Sequence, residues 1–172
     1  MFTVYLGYLF IFLIVCFATL TSVYLVIATF SAAPFVPVPA SKIKTMLKFA
    51  NLNAGDTLID LGSGDGRIVF AAAKSGASCI GIEINPLLYW FSQIKKFLRR
   101  TKNVYFTRSN LWDLDVTNAN VITIYFIPSR MEKLKEKLQK EMRPGSRVVS
   151  YKFKFEGWIM EDAQGEVYLY RV

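Results

Sequence analysis

Apolar and polar positions divide this chain near residue 30. From Phe2 to Phe30 there is no charged side chain, and the first charge of any kind is Lys42. At a rise of about 1.5 Å per residue, roughly 20 apolar residues cross the hydrocarbon core of a bilayer. This run is longer than that, and no side of it is polar, which argues against the buried helix of a soluble domain. It predicts one transmembrane helix within residues 1–31, with residues 2–30 in contact with lipid. A cleaved signal peptide is the competing reading, because Ser31, Ala32 and Ala33 are small. Against it, no basic residue precedes the run, which is about twice the usual length of a signal core.

Beyond the run the pattern changes character. Residues 32–40 lie within SAAPFVPVPA, a Pro-rich connector that cannot continue a helix. Residues 41–172 then alternate short apolar runs with amphipathic ones. Ser41 is placed to cap a helix bearing Ile43, Met46, Leu47 and Ala50 at helical spacing. Leu58 to Leu61 reads as a buried strand, followed by a glycine-rich turn and a helix from Arg67 to Lys74 that Gly76 closes. Ser78 to Ile84 is a second strand. Asn85-Pro86 starts a helix as cap and first position, with Leu87, Trp90, Phe91, Ile94 and Leu98 as its inner stripe. Strands follow at 104–106 and 121–127, and Ser129 to Glu132 has the form of a capping box. The helix it opens turns Met131, Leu134 and Leu138 inward. Strands at 147–153 and 166–172, with a short one at 158–160, finish the chain. Such alternation with short loops predicts an α/β domain, a parallel sheet with helices on both faces.

Composition adds two constraints. The net charge is +8, and Lys42, Lys44 and Lys48 follow the apolar run while nothing basic precedes it. The positive-inside tendency places the globular domain on the cytoplasmic side, or in the matrix of a mitochondrion. Cys16 and Cys79 both lie in apolar runs, so no disulfide framework is suggested. Histidine is absent altogether. His-ligated metal, Ser-His and Cys-His dyads and imidazole bases are thereby excluded, and no metal is expected.

The chemistry concentrates in TLIDLGSGDGRIVFAAAK, residues 57–74. A strand, a glycine turn and a helix N-terminus stand where open α/β sheets bind ligands. Gly62, Gly64 and Gly66 alternate, whereas the dinucleotide fingerprint G-x-G-x-x-G leaves room for a pyrophosphate. Asp60 stands where that fingerprint usually has an apolar residue, and its carboxylate would repel phosphate but suit a cation. Glu83 ends the second strand, where an acidic side chain accepts from ribose hydroxyls. No Gly-Lys-Ser/Thr follows the turn, so the P-loop lysine is missing. A ligand with a ribose, an ammonium and no phosphate fits, and S-adenosylmethionine is such a ligand.

DLGSGDGR together with GIEINP resembles the first two motifs of class I S-adenosylmethionine-dependent methyltransferases. FVPVPASKIKTML, NLWDLDV, IYFIPS and GSRVVSYKF extend the likeness to a narrower group, the membrane-anchored protein-lysine methyltransferases and their prokaryotic relatives. That group includes the enzymes acting on the ATP synthase c-subunit and on the adenine nucleotide translocase. The resemblance implies a Rossmann-like class I sheet and S-adenosylmethionine as cofactor. It places Asp60, Gly62 and Gly64 along the methionine end, with Ser63 and Gly66 also binding the cofactor, Glu83 on the ribose and Ile84 beside the adenine. Asn110 and Leu111 would lie at the adenine edge, where relatives commonly carry Asp instead of Asn110. Phe35, Val36 and Pro37 would close over the cofactor.

Methyl transfer is an in-line displacement at an activated carbon, so alignment is the main demand on the protein. A lysine nucleophile must also lose its proton, which desolvation favours by lowering its pKa. The substrate entrance is expected at the end of the fourth strand, with Tyr125 shaping it and Trp112 and Asp113 contacting the substrate. An integral membrane protein presenting a lysine is the expected partner, since a membrane helix would confine the site to the lipid surface. Methylation of a lipid or quinone-like molecule, and a non-catalytic cofactor-binding scaffold, are the alternatives. Nucleic acid is not expected, because the cations are spread along helix ends.

Overall fold

The structure is a computed structural model that describes residues 2–30 and 35–172, with side chains for residues 5–25 and 35–172. The small residues weighed above as a cleavage site and the start of the connector, residues 31–34, lie outside the described residues. The chain forms two compact units, Met1–Pro34 and Phe35–Val172.

The described residues of the first unit form one helix, α1 (Phe2–Phe30). Its segment Tyr5–Leu25, 21 residues with mean hydropathy 2.3, is long and apolar enough to cross a membrane. Three aliphatic hydroxyls of this segment are turned back on the helix. Thr19 Oγ1 donates to the Val15 carbonyl at 2.8 Å, Thr21 Oγ1 to Phe17 at 2.9 Å and Ser22 Oγ to Ala18 at 2.8 Å. Bonds of this kind satisfy polar groups where no water is available.

The second unit is built on a seven-stranded sheet. In chain order it contains α2 (Ala40–Ala50), β1 (Thr57–Leu61), α3 (Arg67–Ala72), β2 (Ser78–Glu83), α4 (Pro86–Arg99), β3 (Val104–Arg108) and β4 (Val121–Ile124). There follow α5 (Met131–Glu141), β5 (Arg147–Tyr151), β6 (Met160–Gln164) and β7 (Val167–Arg171). The sheet order is β3-β2-β1-β4-β5-β7-β6. Strands β1 to β5 pair in parallel, whereas β7 runs antiparallel to both β5 and β6. The expected parallel sheet is found in β1 to β5, and its far edge is antiparallel. Gly165, at φ 61, supplies the tight turn that folds β6 back on β7 without a crossover helix.

Two apolar clusters cover the two faces of the sheet. One joins Ile43, Met46 and Phe49 of α2 with Ile68, Val69 and Phe70 of α3 and with Leu58 and Val149. The other joins Met131, Leu134 and Leu138 of α5 with Ile59, Ile122 and Val148. The chain leaves β1 toward β2 on one side and reaches β4 on the other, so β1 flanks the point where strand order reverses. Crevices at such points hold ligands in open α/β sheets.

Three local expectations change. Helix α2 starts at Ala40, because the amides of Lys42 and Ile43 both donate to the Pro39 carbonyl, at 3.0 and 3.1 Å, and Ser41 caps nothing. The capping box at Ser129 is replaced by a 3-10 turn over Pro128–Arg130, and Glu132 pairs with Lys135 at 2.6 Å. The largest change concerns α4. Leu87, Trp90, Phe91, Ile94 and Leu98, expected inside, are all exposed, while Ser92 is the buried residue of the helix. The inward side of α4 is fixed by polar anchors: Ser92 Oγ donates to the Gly64 carbonyl at 3.1 Å and Lys95 Nζ to that of Asp65 at 2.9 Å. With the polar side tied to the glycine turn, the apolar stripe is left facing out.

Candidate active site

Asp60 sits one residue before the end of β1, opposite Thr123 of β4, whose Oγ1 donates to its carboxylate at 2.7 Å. It is 2% exposed. Burial, opposed by the Thr123 bond and reinforced by Glu83 and Asp65, pushes its pKa up to about 7. A cation placed beside it would favour the ionised form.

The turn that follows is closed on itself. Gly62, Gly64 and Gly66 have φ values of 80, 55 and 76, a region that favours glycine. The amides of Gly62 and Ser63 both donate to the Ile82 carbonyl at 2.9 Å, and that of Gly66 donates to Ser63 at 2.9 Å. The Gly64 amide donates to Glu83 Oε2 at 2.8 Å. In a P-loop such amides point at phosphate; here all four are used within the protein, and two of the nearest side chains are carboxylates. The turn is therefore an acidic wall. A Cβ at Gly62 would meet nothing within 4 Å, so the turn has open space on that side. These features fit a sulfonium nucleoside with an ammonium, and they do not fit a pyrophosphate.

Glu83 closes β2, is buried, and holds two amides, Gly64 on Oε2 and Asn85 on Oε1, each at 2.8 Å. A carboxylate offers about four lone-pair positions, so room remains for ribose hydroxyls. Asn85 in turn caps α4, accepting from the amides of Leu87 and Leu88 at 2.9 and 3.4 Å. Ile84 is exposed next to Glu83. Asn110 and Leu111 lie half-buried at a 3-10 turn, where Asn110 Oδ1 accepts from the Trp112 amide at 3.3 Å. Ser63 Oγ is buried with no hydrogen-bond partner.

Phe35 lies on the turn. A Cβ at Gly64 would stand 2.5 Å from the Phe35 ring, and Phe35 itself is 45% exposed. Val36 and Pro37 are exposed, while Val38 is buried. A clasp not foreseen from the sequence holds this segment. Arg67 Nη1 donates to the Val38 carbonyl at 3.1 Å, and Asp65 binds Arg67 at 2.8 Å and Lys95 at 3.3 Å. The cations hold the Asp65 carboxyl below its usual range despite partial burial. The Asp-Gly-Arg succession just after the turn was the available signal.

The three residues expected at the substrate entrance are not brought together. Tyr125, just past β4, packs edge-on against Tyr151 at 5.0 Å between centroids and stacks on Phe153 at 6.1 Å. Trp112 belongs to the other face's cluster, edge-on to Phe126 at 6.1 Å with Lys133 Nζ 4.7 Å above its ring. Asp113 is exposed. Tyr151 and Phe153 are additions that sequence reasoning did not single out. Lys152 between them takes a left-handed φ of 72, bending the chain at the end of β5.

Comparison with known proteins agrees with this geometry. Residues 60–162 match the family model described as the ANTKMT methyltransferase domain. The chain is 34% identical over 156 residues to an ATP synthase c-subunit lysine N-methyltransferase of Xenopus laevis, covering 86% of this chain and 69% of that protein. It is 35% identical over 133 residues to a protein-lysine N-methyltransferase of Saccharolobus islandicus, covering 73% and 80%. The chain spans between 54% and 69% of the length of the vertebrate relatives it matches. Among solved structures, an RNA methyltransferase of Salinibacter ruber in complex with S-adenosyl-L-homocysteine superposes with a TM-score of 0.75 at 37% identity. That match covers 79% of this chain and 93% of the other. The fold, the acidic glycine turn and these matches together show that the chain belongs to the ANTKMT methyltransferase domain family, on a Rossmann-like fold that uses S-adenosylmethionine.

Proposed function

We propose that this protein is a membrane-anchored methyltransferase that modifies a lysine of an integral membrane protein. The observation that carries the reading is the closed acidic turn, with Asp60 and Glu83 buried on either side of glycines whose amides are already used. The relatives named as protein-lysine N-methyltransferases support lysine as the acceptor, and the ATP synthase c-subunit in the name of the Xenopus laevis relative supports a membrane-embedded target. The apolar length of α1 supports anchoring, with the domain at 35–172 on the side of the basic residues that follow the helix.

S-adenosylmethionine supplies a methyl group already activated by its sulfonium. In this reading Asp60 faces the ammonium of the methionine portion, with Gly62, Ser63, Gly64 and Gly66 allowing close approach. Glu83 accepts from the ribose hydroxyls while its other lone pairs keep the turn closed. Ile84, Leu111 and Asn110 border the adenine, and Phe35 with Pro37 covers the site, held down through Val38 and Arg67. Tyr125, Tyr151 and Phe153 form an aromatic end to the two central strands that guides and desolvates a lysine ammonium. Desolvation would lower the lysine pKa, so that its proton leaves to solvent and the neutral amine is held facing the methyl group that the cofactor would supply. Trp112 and Asp113 are assigned to peptide contacts outside that slot.

The Salinibacter ruber neighbour favours a second reading, RNA methylation, which the +8 charge would assist. One experiment separates the two. Full-length protein and an Asp60→Ala variant are incubated with methyl-labelled S-adenosylmethionine and native membranes containing ribosomes, and the label is mapped. Label on lysine with wild type alone is the expected result. Label in RNA or extracted lipid, or none, contradicts the reading.

A further inference from the structure

Helix α4 carries an apolar face that the domain does not cover. Leu87, Trp90, Phe91, Ile94, Phe97 and Leu98 are between 49% and 81% exposed. At 3.6 residues per turn these six positions fall within an arc of about 120°. Contiguous exposed apolar surface of this kind marks a contact site. It cannot turn inward, because Ser92 on the opposite side and Lys95 at the edge of the stripe are bonded to Gly64 and Asp65.

Charge indicates what it contacts. From Pro86 to Trp112 there are six cations, Lys95, Lys96, Arg99, Arg100, Lys102 and Arg108, and no carboxylate. Lys95 is paired with Asp65 and Arg99 lies over the Phe70 ring, while Arg100 and Lys102 are exposed past the end of the helix. An open hollow of about 630 Å³ at the end of the helix is lined by Lys96 and Arg100 together with Phe97, Leu98, Gln93 and Thr101. An apolar stripe flanked by cations, with a tryptophan and phenylalanines on it, is the composition of helices that lie in the interface of anionic bilayers.

We infer that the outer face of α4 docks on an anionic phospholipid surface, seating its apolar side chains at the headgroup boundary with the basic end of the helix against the phosphates. The inference rests on the membrane-anchored reading above and adds a second lipid contact, within the globular domain. Such a contact would fix the domain's orientation at the bilayer, which a tether alone leaves free.

All three tryptophans, at 90, 112 and 158, lie outside α1, so tryptophan emission reports on the domain and not on the anchor. The full chain is reconstituted in phosphatidylcholine–phosphatidylglycerol vesicles containing acyl-brominated phosphatidylcholine as quencher. The expected result is bromolipid quenching that Trp90→Phe abolishes. Phe97→Glu with Leu98→Glu should weaken it by at least about twofold, as should omission of phosphatidylglycerol. Circular dichroism and cofactor binding by calorimetry, unchanged in these variants, show that they fold. Trp90 emission quenched by aqueous iodide and untouched by bromolipid overturns the inference. So does shielding from both quenchers in a dimer that Phe97→Glu dissociates, which would assign the face to a second copy. A chain that labels lysine while Trp90 stays in water refutes docking alone. Quenching at Trp90 without lysine label refutes the proposed acceptor alone.

Discussion

At the scale of single residues, Asp60 carries the proposed contact with the cofactor. Its pKa of about 7 in the folded protein stands well above the ordinary 3.8, so between those values the folded state binds more protons than the unfolded one. Stability from this group is therefore greatest at low pH and falls as pH rises toward 7. Replacing Asp60 by Asn should raise the melting temperature at pH 8 and change it little at pH 4, by scanning calorimetry. Cofactor binding has the opposite sign, since a cationic ligand needs the carboxylate. Affinity for S-adenosylmethionine should strengthen by about fivefold from pH 6 to pH 7, and the Asp60→Asn variant should bind at least about tenfold more weakly with that slope gone. A flat titration in the wild type would contradict this. Gly64 makes a second prediction. An added methyl would stand 2.5 Å from the Phe35 ring at φ 55. Gly64→Ala should cost about 1–3 kcal/mol in urea unfolding, and Phe35→Ala should recover part of that cost in the double variant. That Asp60, the glycines and Glu83 would cluster was legible, because the apolar pattern puts them at the ends of two strands, and those strands are neighbours in the sheet. The bonds of the Gly62, Ser63 and Gly64 amides to the end of β2, and the Arg67 clasp on Val38, were not legible, because both depend on partners about 20 to 30 positions away.

At the scale of elements, α4 and α5 make an instructive pair. Both have a helical apolar period, and in α5 the stripe of Met131, Leu134 and Leu138 is buried as the pattern predicts. In α4 the same kind of stripe faces out. Periodicity gives the existence of a face but not its direction, and in α4 two polar bonds to the glycine turn decide the direction. Paired truncations test this. Leu134→Ala, at a fully buried site, should destabilise by about 2–5 kcal/mol. Leu98→Ala, at a site 72% exposed, should stay within about 0.5 kcal/mol. Equal losses by denaturant titration would mean that α4 packs inward. Strand ends were similarly elusive. The fourth strand stops at Ile124 where the aromatic segment begins, because Tyr125 leaves the ladder to pack on Tyr151 and Phe153.

At the scale of the whole molecule, the described residues form one helix long and apolar enough to cross a bilayer and one methyltransferase domain. The apolar run was plain in the sequence because length and absence of charge suffice to read it. The antiparallel β7 and β6 were not, since a short apolar strand carries no mark of its direction. Membrane fractions carrying the full chain should keep it through an alkaline carbonate wash, and release into the supernatant would count against anchoring. The central claim, however, concerns the ligand chosen by a closed acidic turn. Isothermal calorimetry on the purified full chain in detergent, titrated in turn with S-adenosylmethionine, S-adenosylhomocysteine, NAD and ATP, tests it most directly. Saturable heat with the two sulfur nucleosides and none with the phosphorylated ligands is the expected outcome; binding of NAD or ATP with neither sulfur nucleoside taken up would contradict it.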